Sequence, residues 1–133
     1  MRGVTLIELM IVVGIVAVLA SLAVTTYSRY VVKTNRAAAA AVLLGIANRQ
    51  EQYFLDAREY AADMTTLGAT SPPEVSNNYT IATSADNSAT PPSFQVTATP
   101  ISGSSQATRD TKCATLTLSS AGAKSISGSG SIQ

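Results

Sequence analysis

The chain has no histidine and a single cysteine, Cys113. That inventory excludes zinc sites built from those ligands and Cys–His nucleophile pairs. No Gly-rich phosphate loop or nucleophile motif is present either. Charge is scarce: 13% of residues carry it and the net is +1. Composition therefore offers no basic patch for phosphates and predicts no nucleic-acid partner. Asp56, Glu59 and Asp63 would share one side of a helix that reached so far. Arg58 intervenes, and the three read as solvated face charges. Asp86 and Asp110 lack a supporting ligand cluster. The expectation is a protein that is not an enzyme, with no cofactor, no metal and no catalytic residue. Proline is absent before Pro72, so no proline breaks a helix in the first half.

What is present is one long apolar run, Val4 to Val24, whose single ionisable residue is Glu8. As a helix it would be about 31 Å long, enough to cross the hydrocarbon core of a bilayer. Its apolar residues run all round, so every face requires lipid or protein against it. A carboxylate in such a segment costs about 2.5–3.5 kcal/mol at mid-membrane and less near an interface, so Glu8 calls for a counter-charge or a route to water. Arg2 before the run favours a cytoplasmic N-terminus and an exported C-terminal part. No small-residue cleavage site follows the run, unlike a secretory signal peptide.

Gly3 followed by Val4-Thr5-Leu6-Ile7-Glu8-Leu9-Met10-Ile11-Val12-Val13 resembles the processing motif of type IV prepilins and related pseudopilins. The resemblance implies cleavage between Gly3 and Val4 by a prepilin peptidase, with N-methylation of Val4. It places Glu8 fifth in the mature chain, where the family has its glutamate; Val4 stands where the family most often has Phe. It also implies as partners other pilin subunits, met through the N-terminal helix, the inner-membrane pilus assembly machinery and membrane lipid. In a water-poor filament core an isolated carboxylate is disfavoured. The mature amine at Val4 would neutralise Glu8 of a neighbouring subunit and help set axial register; the plain alternative is that Glu8 snorkels to the interface.

Beyond the run, Tyr27, Arg29, Tyr30 and Lys33 are the aromatic and basic types of a membrane–water interface. Related pilins commonly have proline where Thr25 stands; without it, no proline kinks the helix there. The helix is predicted to continue to about Arg58 through the Ala37–Ala41 run, with Ala39, Leu43, Ile46, Tyr53 and Ala57 as its apolar stripe. Residues 68–78 are predicted as an exposed loop. Three β-like runs follow, 79–83, 93–99 and 114–118, with a weaker fourth near 124–126 and a flexible Ser/Gly tail. The expected fold class is α+β: a long N-terminal α-helix, its first half membrane-spanning, packed against a small antiparallel β-sheet. The expected division is a leader at 1–3, a transmembrane and assembly helix at 4–24, and its amphipathic continuation at 25–58. A connecting loop at 59–78 and a β-sheet region with tail at 79–133 complete it.

Residues 49–53, 60–67 and 110–118 resemble minor pilins of the PilE-like group, which usually close a terminal loop with a disulfide. With one cysteine this chain forms no such intramolecular bridge, and Cys113 reads as a small buried apolar residue or a free or intermolecular thiol. The function expected is a minor pilin of a type IV pilus. The alternatives are a type II secretion pseudopilin and a bitopic membrane-anchored binding domain. The C-terminal domain would be periplasmic before assembly and on the cell surface afterwards.

Overall fold

The structure, a computed structural model, describes residues 4–130. Helix α1 runs Leu6–Ala57 without a break, about 78 Å at 1.5 Å per residue. Thr5 caps it: in extended backbone, its hydroxyl accepts from the Glu8 amide, satisfying one of the orphan donors of the first turn. At the other end Arg58 takes a left-handed conformation, φ 60°, and its amide donates to the Phe54 carbonyl. No proline or glycine shapes that stop, which is why the sequence marks it only by fading helical signal.

The sheet is an antiparallel meander of four strands in chain order: β1 Tyr79–Asp86, β2 Ser93–Pro100, β3 Leu116–Ser119 and β4 Lys124–Ile126. Registers such as Thr83 opposite Val96 and Val96 opposite Leu118 put alternate residues on one face. That face meets the second half of α1. Ala39, Leu43 and Ile46 pack with Phe94, Val96, Ala98, Leu116 and Leu118 in a continuous core. Tyr60 joins it by stacking on Phe54 at 4.6 Å and meeting Phe94 edge-on at 4.8 Å.

Three sequence expectations are corrected here. The 68–78 stretch is not simply an exposed loop: it holds a one-turn helix α2, Pro73–Ser76, started by Pro73 in the first turn. It buries Val75 and Ala69. A second short helix, α3 Ser105–Arg109, capped by Ser104, lies between β2 and β3 where no helix was expected. The Ser/Gly tail, as far as it is described, is laced down. Ser127, Gly128 and Gly130 amides donate to the Thr115, Cys113 and Lys112 carbonyls, and Thr115 N–H returns a bond to Ser127 Oγ. On the apolar stripe, Ala39, Leu43 and Ile46 are buried, Tyr53 is half-buried and Ala57 is exposed.

Two side-chain amides do work that a strand would otherwise do. Gln50 of α1 is fully buried; its Oε1 accepts from Ala61 N–H at 2.9 Å. Its Nε2 donates to the Ala61 carbonyl at 2.8 Å and to Thr83 Oγ1. Asn87 treats Tyr60 the same way, with bonds of 2.9 and 3.0 Å. The chain leaving α1 is thereby pinned beside β1 without a fifth strand, and its buried polar groups are satisfied.

Candidate assembly helix and basic groove

From Val4 to Val24 every large apolar side chain is 53–77% exposed. No other part of the described chain covers this segment, whose first-half composition and length suit a membrane span. Among the sequence-predicted site residues, Gly3 lies outside the described residues. Val4 is exposed and precedes the helix; Glu8 is exposed in the first turn. The end of a helix that carries unpaired N–H groups favours an anion by about 0.3–1 kcal/mol. This offsets part of the cost of Glu8 but not the whole, so the residue still calls for an outside partner. The interfacial set is also in place: Tyr27, Arg29, Tyr30 and Lys33 are all exposed.

Where the helix enters the head, a buried polar joint holds it. Arg36 grips Asp110 with two bonds, Nε to Oδ2 at 3.0 Å and Nη2 to Oδ1. The Asp110 side chain is 1% exposed, that of Arg36 34%. Gln106, also buried, donates to Asp110 Oδ2 at 3.0 Å, to Tyr79 Oη at 2.7 Å and to the Val32 carbonyl; Asn35 donates to Gln106 Oε1. Tyr79 Oη also donates to Asp110 Oδ2, so three separate segments of chain, α1, β1 and α3, meet at one carboxylate. Its hydrogen bonds raise the Arg36 guanidinium further above its usual range. Burial, with Asp110 alongside, pushes the Tyr79 phenol well up and holds it neutral. Cys113, buried behind this joint, has its thiol pushed up by desolvation, which suits packing rather than nucleophilic chemistry. This joint is invisible in the sequence, because Arg36 and Asp110 are far apart along it and each alone looks like a surface charge.

Arg36 of this joint also lines a groove of about 900 Å³, together with Lys33, Lys112 and Lys124, with Ala40 and Ile126 as part of its apolar lining. No acidic side chain lines it. Among the described residues, none of its three lysines has an ion-pair partner. A net charge of +1 thus conceals a local concentration of cations, because the acids lie elsewhere on the molecule. Lys33 and Arg36, at i and i+3, are the part of it that helical spacing alone puts on one face.

Three comparisons bear on this geometry. The family model described as "Type IV minor pilin ComP, DNA uptake sequence receptor" matches residues 25–117. That span starts after the apolar run and ends before β4. A fimbrial protein of Neisseria meningitidis serogroup A is 32% identical over 78 residues, covering 59% of this chain and 46% of the relative. The type IV major pilin protein PilE1 of Neisseria gonorrhoeae is 35% identical over 72 residues, 54% of this chain and 44% of the relative. The chain spans less than half the length of these curated relatives.

Proposed function

The chain belongs to the type IV minor pilin family, and from that premise we propose how it is inserted, matured and built into a pilus. Residues 4–24 anchor it in the inner membrane with the head in the periplasm. Prepilin peptidase cuts between Gly3 and Val4, and Val4 is N-methylated. The helix then leaves lipid for the bundle of neighbouring subunits in the filament or its initiating tip complex, delivered by the inner-membrane assembly machinery. Glu8 meets the cationic terminal amine of a neighbour there, and the pair fixes axial register. The observation that carries this reading is the contrast within α1: a wholly exposed apolar half continuous with a half that is packed against a sheet. Intact mass spectrometry of the protein from membranes and from sheared filaments tests it. The expected mass lacks Met1 to Gly3 and carries one added methyl group, in both fractions. A full-length mass confined to membranes would instead favour an anchored binding domain; a processed mass missing from filaments would favour a secretion pseudopilin.

A second reading rests on the groove. The family description names a DNA uptake sequence receptor, and a phosphate backbone is the ligand that three clustered lysines without an ion-pair partner would attract. In this reading Lys33, Lys112 and Lys124 supply sequence-independent contacts. Duplex affinity then falls with salt, and each lysine-to-glutamine change lowers the slope of log affinity against log salt by about one. Salt-independent binding, or none, would remove the nucleic-acid reading and leave the structural one standing.

A further inference from the structure

A second cleft, separate from the lysine groove, lies lower on the stem. About 210 Å³ in volume, it sits between α1 and α3 and is lined by residues that include Tyr27, Ser28, Asn35, Asn78, Ser105 and Arg109. Its lining contains one cation, Arg109, and no acid. Arg109 is exposed and, among the described residues, has no ion-pair partner. The neighbouring carboxylate, Asp110, is turned inward and occupied by Arg36, Gln106 and Tyr79. Two serines and a tyrosine add hydroxyls to the wall, whereas the two asparagine amides are engaged, Asn35 with Gln106 and Asn78 with the Glu74 carbonyl.

The position of the cleft on the helix decides its ligand. If the apolar run ends at Val24, Tyr27 to Val31 stand roughly 4–10 Å beyond the hydrocarbon, at 1.5 Å per residue. The headgroup layer of a bilayer occupies about that depth on each side. We propose that this cleft binds the headgroup of an anionic phospholipid while the subunit waits in the membrane, with Arg109 on the phosphate and the hydroxyls of Tyr27, Ser28 and Ser105 around it. A zwitterionic headgroup brings a second cation, and the cleft has no carboxylate to receive it; an anionic one leaves the phosphate charge for Arg109 alone. The lipid then seats the base of the head against the bilayer surface at a fixed height on the stem. This inference rests on the membrane anchorage proposed above.

The test uses the full chain, extracted in mild detergent and offered equal amounts of phosphatidylglycerol and phosphatidylcholine, with bound lipid counted by native mass spectrometry. Wild type is expected to retain phosphatidylglycerol preferentially. Arg109→Gln is expected to lower that preference about fivefold, the ratio that one interfacial cation supplies. Arg109→Lys is expected to keep most of it, and Arg58→Gln, exposed at the far end of α1 and outside both groove and cleft, to leave it unchanged. Equal retention by wild type and Arg109→Gln, or an equal loss in Arg58→Gln, would overturn the proposal. Displacement of the lipid by millimolar inorganic phosphate would also overturn it, by assigning the cleft to a soluble anion. Alkaline extraction of membranes separates the two levels of inference. A wild-type chain released by carbonate overturns the anchorage and the cleft with it; a chain that stays in the membrane but shows no lipid preference overturns the cleft alone.

Discussion

One helix runs through two different situations. From Leu6 to Val24 its large apolar side chains are exposed; from Val32 onward it buries Ala39, Leu43 and Ile46 against the sheet and ties Arg36 and Gln50 into polar networks. The backbone hydrogen bonding is the same in both halves. The difference lies in what surrounds the side chains, and therefore in where the stabilising free energy comes from. The head gains it internally, from apolar burial and from buried polar groups that are nearly all satisfied. The stem must gain it from lipid or from other subunits. A single substitution should accordingly show up in different assays depending on which half it falls in.

The largest effect expected is at Glu8. Glu8→Ala should leave the head fold and membrane insertion intact and nearly abolish recovery in sheared filaments, because a neighbour's buried amine is left unpaired at about 3–5 kcal/mol. Wild-type recovery would end the pairing argument. Next is the joint. Arg36→Ala strands the Asp110 carboxylate and should destabilise the head by about 3 kcal/mol, the low end for breaking a buried pair because Arg36 itself is partly wet. Urea unfolding of the full chain in detergent reads this, with alkylation of Cys113 as the local reporter. An unchanged midpoint would place the stem–head coupling elsewhere.

Gln50→Ala removes three hydrogen bonds and leaves Ala61 N–H and C=O unpaired; about 1–3 kcal/mol is expected in the same unfolding experiment. Gly128→Ala would put its Cβ 2.1 Å from the Lys112 carbonyl oxygen. The terminal strap should come away, with faster amide exchange at Ser127, Gly128 and Gly130 and a global cost of about 1 kcal/mol. Smallest is Leu55→Ala on the exposed side of the stem's upper half, 71% exposed, where less than about 0.5 kcal/mol is expected. A larger loss there would show that this side, too, is covered by something outside the chain.

Legibility in the sequence followed the same division. The stem was readable because an unbroken apolar run with one acid is a local pattern, and the Gly3–Glu8 motif is contiguous. The sheet was readable from its alternation: the expected 79–83 and 93–99 runs lie within β1 and β2, and β3 and β4 fall close to where they were placed. The weak fourth strand formed because Leu116 opposite Ile126 gives it one buried contact. The features that stayed hidden are products of folding. Asp110 and Gln106 are surface residue types until Arg36 and Tyr79 arrive over them; α3 is five residues long with no apolar period. The lysine groove draws on residues 33, 36, 112 and 124, which no window along the chain contains together. Gln50 falls in step with Ala39, Leu43 and Ile46, and its side of the helix could have been anticipated, but not the backbone it would serve.

The tail offers a different kind of consequence. A disulfide is either closed or open, whereas the strap from Ser127 to Gly130 is a row of separate backbone bonds on the Lys112–Thr115 edge. Such a row unzips from its outer end, Gly130 before Gly128 before Ser127, each step costing about 1 kcal/mol. The rim of the lysine groove, to which Ser129 and Gly130 contribute, therefore has graded states. Heat or denaturant is expected to loosen this rim step by step before it breaks the Arg36–Asp110 pair.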